Sequence, residues 1–395
     1  MQTLARVQQA SGRERATDRE LQSLERPQAP LQVGVIGLGA VAQAVHLPLL
    51  VKHGDLFRTA AICDLSAAAR ATIGDTLGVP EARRFGSADE LLAAGDLDAV
   101  AILSSGSHGG IAAAAARAGL AVFCEKPLAY TLAEADALAD VADRVLLAYM
   151  KLYDPAVERA RLELAERPRA RSVEVTVLHP PAPPQLAHVR LLPPAGDVDP
   201  ASLDAAGAGE RELVERALGQ AADEVGELYT EVLLGSVVHD LAVIRYLLGG
   251  PLEIDGADLW PEPEPKSLAL AGRLPGGTRV SIRWHYLARY PAYREEVRVH
   301  DDEGSVSLAF PSPYLLHAPT ELTVVGGDGE AEASLHVRST VEAFERQWLA
   351  FAALALDGER PRAGVAEGRA DIVACQAAAR ALAARGGVAA GGEAA

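Results

Sequence analysis

The sequence predicts an α/β protein with two domains: a doubly wound parallel sheet first, and then an α/β domain with a mostly antiparallel open sheet. Short apolar runs alternate with helical patterns over residues 30–150, and apolar and polar residues alternate between turns over residues 266–337. The chain of 395 residues is also long enough for two cores, because a domain usually takes about 100–200 residues.

The first predicted domain covers residues 30–150 and is built from strand and helix signals in alternation. The run LQVGVIG is a strand that ends in glycines, and RTAAICD and LDAVAILSS are two further strands. Helix starts are marked by capping-box pairs, Ser87 with Glu90 and Thr131 with Glu134. Strands joined through helices predict a parallel sheet that is covered on both faces.

The second predicted domain covers residues 151–385 and has a different texture. After the strand ARSVEVTVLHP, residues 180–225 are rich in Pro, Ala and Gly, which predicts an irregular insertion with one helix near Arg211–Leu218. A long helical pattern then ends at a glycine pair, antiparallel strands follow, and two helices close the domain. Residues 1–29 and 386–395 are predicted to be a flexible extension and a flexible tail.

Charge and composition exclude several classes of partner and compartment. The formal net charge is -17, from 54 acidic and 37 basic residues, so phosphate backbones and anionic membrane surfaces would repel the chain. No apolar run reaches the roughly 18 residues of a membrane-spanning helix, and no secretory signal is apparent. Three cysteines without CxxC spacing indicate neither a disulfide framework nor a metal site, which favours the reducing cytoplasm.

The motif GLGAVA is the GxGxxA form of the dinucleotide fingerprint and lies between a predicted strand and a predicted helix. The first glycine makes the tight turn, the second admits a pyrophosphate close to the backbone, and the final alanine lets helix and strand pack closely. A purely structural glycine turn is the alternative. The residues predicted to bind the cofactor here are Gly37, Leu38, Gly39, Ala40, Val41 and Ala42.

The end of the second strand bears on the choice between NAD and NADP. Asp64 lies 25 residues after Gly39, near the interval at which a carboxylate accepts hydrogen bonds from the adenosine ribose hydroxyls. A carboxylate there would repel a 2′-phosphate, so NAD is the predicted cofactor. NADP is the alternative because Ser66 and Arg70 lie close by in sequence. Asp64 could instead simply cap the next helix.

Downstream of this fingerprint, the stretch AILSSGSHGGIAAAAARAGLAVFCEKPLAYTLAEADAL resembles the Gfo/Idh/MocA family of NAD(P)-dependent oxidoreductases, whose EKP motif it contains. YMKLYDP and the last two helices resemble the same family, so the likeness extends over residues 31–385. The resemblance implies an N-terminal Rossmann domain and a homodimer or homotetramer. It also adds cofactor-binding residues beyond the glycine loop: Ser104, Ser105, His108, Glu125 and Lys126.

Two residues are predicted to carry catalysis, Lys126 and His239. Lys126 follows a strand of the parallel sheet, where a cation can hold a substrate hydroxyl and stabilise an alkoxide; a structural salt bridge with Glu125 is the alternative. His239 matches the family's histidine on a long helix. The family's aspartate four residues earlier is replaced by Gly235, so His239 works without that partner, recruits another, such as a carboxylate of the 180–225 insertion, or is a packed histidine.

The substrate side of the prediction is coarser. Lys151 and Tyr153 follow the last strand of the first domain, and these residues are predicted with Asp240 to contact substrate. The resemblance implies hydride transfer between nicotinamide and a secondary alcohol of a sugar, cyclitol or related polyol. A sensor that binds dinucleotide without turnover is the rival reading. A methyltransferase is a weaker rival, because it has no use for EKP.

Overall fold

The computed structural model describes residues 29–193, 196–260, 267–327 and 330–395. Within these ranges the chain forms two compact units. Of the described residues, one contains 29–149, 188–235 and 348–395, here called the nucleotide-binding unit, and the other contains 150–187 and 236–347, here called the second unit. The insertion from residue 188 onward and the final helices from residue 348 onward therefore cluster with the parallel sheet, whereas the sequence predicted them in the second domain. The predicted flexible extension lies, except for its last residue, outside the described part of the chain.

The nucleotide-binding unit is built on a six-stranded sheet in the order β3-β2-β1-β4-β5-β6, and all of its strand pairs are parallel. This is the strand order of a Rossmann domain, in which the topology switches between the first and fourth strands. The strands are β1 (Leu31–Ile36), β2 (Phe57–Cys63), β3 (Arg84–Phe85), β4 (Ala99–Ile102), β5 (Ala121–Cys124) and β6 (Val145–Leu147).

Helices connect these strands, and their starts follow the predicted caps. The Ser87 hydroxyl accepts from the Glu90 N–H, and Thr131 and Glu134 form the reciprocal capping box. The α-helices up to β6 are α1 (Leu47–Lys52), α2 (Ala67–Leu77), α3 (Ala88–Ala93), α4 (Gly109–Arg117) and α5 (Leu132–Asp136); short 3-10 turns cover Glu81–Arg83 and Ala139–Arg144.

The second unit contains an eight-stranded sheet in the order β14-β13-β12-β11-β7-β10-β9-β8. Its neighbouring strands are antiparallel except for the parallel pair of β7 and β10. The predicted fold class is thus confirmed for both sheets. The strands are β7 (Ser172–His179), β8 (Glu253–Trp260), β9 (Ser267–Arg273), β10 (Arg279–Tyr286), β11 (Arg294–Asp301), β12 (Gly304–Phe310), β13 (Glu321–Gly327) and β14 (Glu332–Arg338).

The remaining helices come from three stretches of chain. A 3-10 turn at Met150–Tyr153 precedes the first of them, and another covers Gly219–Ala221. They are α6 (Pro155–Ala165), α7 (Ala182–Leu186), α8 (Pro200–Leu218), α9 (Ala222–Glu227), α10 (Val238–Leu248), α11 (Ala343–Asp357) and α12 (Val365–Arg385). Over the described residues, no helix is long and apolar enough to cross a bilayer.

The insertion is more regular than its composition indicated. A 19-residue helix, Pro200–Leu218, replaces the predicted irregular segment with one short helix. Asp199 caps this helix by accepting from the Ala201 N–H, and Pro200 occupies the first turn, where no N–H partner is needed. Alanine favours the helical conformation, so the alanine residues stabilise this helix although the glycine and proline content of the segment indicates irregular structure.

The C-terminal tail also differs from the prediction of a flexible segment. Glu393 accepts hydrogen bonds from the N–H groups of Leu132 and Ala133 at 2.5 and 2.9 Å, at the start of α5. It accepts another from the Gln376 side chain at 2.9 Å. These contacts fix the last residues of the chain on the nucleotide-binding unit.

Candidate functional site

The glycine loop lies directly after β1. Gly37 has a φ of +94°, which favours glycine, and a Cβ at this position would overlap the backbone of Ser104. Its N–H donates to the Cys63 carbonyl at 2.9 Å. The first glycine of the motif is therefore required by the close approach of the chain that leaves β4.

Gly39 has a different environment. Among the described residues, no atom lies within 4 Å of a Cβ placed at Gly39, and Gly39 and Ala40 are exposed while Val41 is half-buried. Leu38 and Ala42 are buried beneath them. An open backbone surface above a packed base is what a pyrophosphate needs, so this loop fits the predicted dinucleotide.

The helix that follows this loop begins with a π-helical segment, Ala42–His46, in which the Leu47 N–H donates to the Ala42 carbonyl. Pro48 explains the widening, since it has no N–H and its ring crowds the preceding turn. The segment turns His46 into the core, where it is fully buried.

Asp64 ties the glycine loop to the end of β2. One carboxylate oxygen accepts from the Leu38 N–H at 2.8 Å, and the other accepts from the Ser66 N–H at 2.9 Å. The side chain is half-buried and lies beside the loop, as the ribose prediction requires. The alternative role of capping α2 falls to Ser66, whose hydroxyl accepts from the Ala69 N–H.

His108 lies inside the protein and not at its surface. Its Nδ1 lies 2.7 Å from the Glu125 carbonyl oxygen and 2.8 Å from that of Pro127, and its Nε2 lies 2.7 Å from the Ser104 carbonyl oxygen. Its side chain is fully buried, so it joins the loop after β4 to the EKP loop and does not offer a ring nitrogen to a ligand. Ser104 is half-buried and Ser105 is exposed on that loop.

Glu125 of the EKP motif is also turned inward. Its carboxylate accepts from His46 Nε2 at 3.0 Å and from the Lys126 N–H at 3.1 Å, and Trp348 Nε1 donates to His46 Nδ1 at 3.2 Å. Burial raises the pKa of Glu125, but the hydrogen bond from His46 and the charge and N–H of Lys126 outweigh it and hold this pKa below its usual value. Phe123 stacks on Trp348 with ring centroids 4.2 Å apart. The network anchors the Lys126 backbone.

The Lys126 ammonium donates to the Gly235 carbonyl at 2.5 Å. Gly235 lies in a ten-residue π-helical segment, Leu228–Val237, that continues into α10. The residue that stands in place of the family's aspartate thus contacts the lysine through its neutral main-chain carbonyl. The Glu125 carboxylate, which was the partner in the alternative of a structural salt bridge, accepts instead from His46 and from the Lys126 main-chain N–H.

His239 and Asp240 follow on α10 and differ in burial. His239 is half-buried, and Asp240 is 1% exposed. Burial, and next the charge of Glu295, raise the pKa of Asp240 well above its usual value. The raised pKa favours the protonated form of this carboxyl beside Glu295.

Lys151 and Asp240, both predicted to contact substrate, are brought together in the second unit. Lys151 is 5% exposed and forms an ion pair with Glu295, which also accepts from the Tyr293 hydroxyl. Burial raises the pKa of Tyr293 far above its usual value, so the phenol stays protonated. The buried polar cluster of the second unit consists of Lys151, Asp240, Tyr293 and Glu295.

Tyr153 is not part of that cluster. Its side chain is 1% exposed, and its main-chain carbonyl accepts from Arg346, which also pairs with Glu158. The structure therefore gives Tyr153 a place in the core next to this ion pair.

Sequence reasoning missed Glu295 and Tyr293. In β11, Val297 and Val299 are buried, and Glu295 falls in the same alternating phase, opposite Val177 of β7. A charged residue in phase with buried valines is an available signal of a buried polar group. On the same face, the His179 ring lies 5.3 Å from that of Trp284 and 5.6 Å from that of Tyr293.

No group of three or more His, Cys, Asp or Glu side chains in the described ranges is arranged to hold a metal ion. The three cysteines are buried, and burial raises the pKa of the Cys63 thiol to about 12 and those of Cys124 and Cys375 also above their usual value. The polar groups described above are therefore the candidates for function.

The first unit is by its strand order and glycine loop a dinucleotide-binding domain. Residues 31–151 match the model of the oxidoreductase family with an NAD-binding Rossmann fold, named Gfo/Idh/MocA. Over these residues the resemblance to that family and the predicted NAD-binding domain are confirmed.

Three individual proteins illustrate the likeness. A D-xylose 1-dehydrogenase (NADP(+)) from Haloferax volcanii is 33% identical over 135 residues, which are 33% of this chain and 40% of that protein. An inositol 2-dehydrogenase from Paenarthrobacter aurescens is 26% identical over 71% of this chain and 75% of its own length. The structure of scyllo-inositol dehydrogenase from Lactobacillus casei with NAD(H) and scyllo-inositol aligns with a TM-score of 0.64 and 18% identity over 90% of this chain and 98% of that one.

Proposed function

We propose that this protein is an NAD-dependent oxidoreductase that transfers a hydride between nicotinamide and a secondary alcohol of a sugar, cyclitol or related polyol. The observation that carries the proposal is the placement of Lys126. Its backbone is anchored by Glu125 and its ammonium is oriented by the Gly235 carbonyl at the carboxyl edge of the parallel sheet. The names of the relatives support the substrate class.

The carbonyl contact matters for the chemistry of Lys126. A carboxylate would neutralise the ammonium, whereas a neutral carbonyl orients it and leaves its charge. That charge can hold a substrate hydroxyl and stabilise the alkoxide that forms as the proton leaves. NAD, held by Gly37–Ala42 and Asp64, supplies the acceptor for the hydride when bound.

The side chains of the second unit take supporting roles in this proposal. His239 accepts the substrate proton as general base, and Lys151 and Asp240 shape the substrate side together with Glu295. The side chains of His108 and Glu125 bond to other protein groups. They therefore position the loops of the proposed cofactor site and do not contact the cofactor themselves. Tyr153 acts through packing.

The test is turnover with NAD and a panel of polyols, inositols and sugars. Lys126→Ala should lower kcat about 100-fold or more, a loss on the order of 3 kcal/mol, with little change in NAD affinity. Gly39→Val should abolish NAD binding in calorimetry, because its side chain would enter the open space at the loop. A fully active Lys126→Ala would remove the lysine from catalysis.

The role of His239 has its own readout. The rate of oxidation at limiting substrate should rise with pH as a group that titrates near neutrality loses its proton. His239→Ala should abolish this rise in the pH–rate profile. If the variant retains both rate and profile, another group is the base. Tight NAD binding by a wild-type protein that turns over none of the polyols would instead support the sensor reading, which the exchange of a carboxylate for Gly235 favours.

We also propose that the protein is a cytoplasmic homodimer or homotetramer without nucleic-acid or membrane partners. Buried, unpaired thiols and the net charge of -17 support this proposal. Light scattering of the purified protein measures its mass, and a monomer at micromolar concentration would contradict it.

A further inference from the structure

The part of the insertion that belongs to the nucleotide-binding unit runs along the edge where the cofactor is proposed to bind. The Leu192 N–H donates to Gln43 Oε1 at 2.8 Å, and the Gln43 amide donates to the Leu38 carbonyl of the glycine loop at 2.7 Å. Further on, a Cβ at Gly106, in the loop after β4, would overlap the Glu210 carboxylate. The insertion therefore contacts the helical segment after β1, which itself bonds to the glycine loop, and the loop after β4.

Between these two contacts lies Asp197, whose carboxylate bridges two donors at the start of α2. One oxygen accepts from the Ser66 hydroxyl at 2.7 Å, and the other accepts from the Ala68 N–H at 2.8 Å. These bonds hold the pKa of Asp197 below its usual value, the Ala68 N–H contributing most, so the group is an anion.

The donors that Asp197 occupies are of the kind that binds a phosphate. They comprise a serine hydroxyl and a backbone N–H at the start of an eleven-residue helix, with Arg70 one turn away. The Arg70 guanidinium donates to the carbonyls of Asp64 and Leu65 at 2.5 and 3.2 Å, so it stays at the end of β2. In dinucleotide-binding domains this is the end at which the ribose 2′ position is recognised.

We propose that Asp197 is a cofactor-specificity residue. Its carboxylate, carried by the insertion, occupies the position that a 2′-phosphate would otherwise take, and so it selects NAD over NADP. The assignment rests on the proposed function, since it concerns the same cofactor site. From the sequence, Ser66 and Arg70 were the features that left NADP open. In the structure, Asp197 accepts the hydrogen bond of the Ser66 hydroxyl. A 2′-phosphate would therefore meet two carboxylates, Asp64 and Asp197, and could not use the donors that bind Asp197.

The experiment compares NADH and NADPH binding by fluorescence titration in wild type and in Asp197→Ala, at fixed ionic strength. We expect at least a tenfold gain in NADPH affinity in the variant, with NADH affinity within threefold of wild type. Asp197→Glu, which keeps the charge, should retain the wild-type preference.

Asp199→Ala is the matched control, since Asp199 lies two residues away and caps its own helix through the Ala201 N–H. Its cofactor preference should equal that of wild type. An unchanged NADPH to NADH ratio in Asp197→Ala, or an equal gain for both cofactors, would overturn the specificity role while leaving the proposed function intact. Wild-type protein that binds neither cofactor would overturn both.

Discussion

The two units bury ionisable side chains in different ways. In the nucleotide-binding unit, His108 bonds to main-chain carbonyls, and Glu125 bonds to the Lys126 N–H and to the His46 side chain. In the second unit, Lys151, Asp240 and Glu295 come from three distant stretches, and Glu295 pairs with Lys151 and lies beside Asp240. The first arrangement uses main-chain groups of the motif loops, whereas the second joins only side chains and exists only after long-range pairing has formed.

The difference has an energetic consequence. A buried side chain that bonds to the main chain remains satisfied as long as its loop is formed. The cluster of the second unit combines one ammonium with two carboxyl groups, so its charges balance only if one carboxyl keeps its proton. The second unit is therefore the region in which a single substitution should cost most.

The largest effect is expected at Glu295. Glu295→Gln leaves the buried Lys151 ammonium without its carboxylate, and it should lower the free energy of unfolding by about 3–5 kcal/mol, measured by urea denaturation. Glu296→Gln is the control, because Glu296 pairs with the exposed Arg298 and should cost at most about 1 kcal/mol. Equal losses at the two positions would contradict the buried cluster.

The next effect separates the two glycines of the fingerprint. Gly37→Ala combines a positive φ with overlap on the Ser104 backbone, so it should cost more than about 2 kcal/mol in thermal or urea unfolding. Gly39→Ala places its methyl group in open space and should leave stability within about 1 kcal/mol of wild type. Its effect should appear in NADH affinity instead. If both variants lose stability alike, Gly39 is also a structural glycine.

A smaller effect, visible through pH, is expected at Asp240. Because its folded-state pKa lies above its unfolded value, the wild type loses stability as the pH rises from the unfolded pKa near 4 toward the folded pKa. Asp240→Asn mimics the protonated form and removes this loss. Relative to wild type, the variant should gain stability as the pH rises above the unfolded pKa, by about 1.4 kcal/mol in total for each unit by which the folded pKa exceeds the unfolded one. A pH-independent difference would mean that Asp240 is not the protonated group.

The smallest effect concerns a motif that is readable from sequence alone. Thr131→Ala removes the hydroxyl of the capping box and should cost about 1 kcal/mol in unfolding, while Thr131→Ser should retain most of the cap. A loss comparable to that of Glu295→Gln would show that the nucleotide-binding unit depends on its local motifs as strongly as the second unit depends on its cluster.

These comparisons also explain which predictions from sequence succeeded. The parallel sheet, the glycine turn, the caps at Ser87 and Thr131 and the helix end at Gly249 all rest on interactions within a few residues or on the period of an apolar pattern. The insertion was predicted less well, because alanine supports a helix without giving an amphipathic pattern.

For the candidate site, sequence placed Asp64 and Lys126 at the carboxyl edge of the parallel sheet, because the strand–turn–helix order dictates where a strand end lies. It could not assign the inward orientation of Glu125, since that depends on His46 and on Trp348, which lies more than 200 residues further along the chain. It also could not foresee that the Gly235 carbonyl would contact Lys126, because main-chain groups leave no trace in residue type.

By itself, the sequence determined the class of fold, the dinucleotide loop and the family resemblance, since these depend on short motifs and on periodicity. The tertiary structure alone decided which polar groups contact one another: Glu295 with Lys151, Asp197 with Ser66, and the Gly235 carbonyl with Lys126. The physical reason is that an ion pair or hydrogen bond is set by distance in space. A partner more than 100 residues away becomes known only when strand register and helix packing have brought the two side chains together.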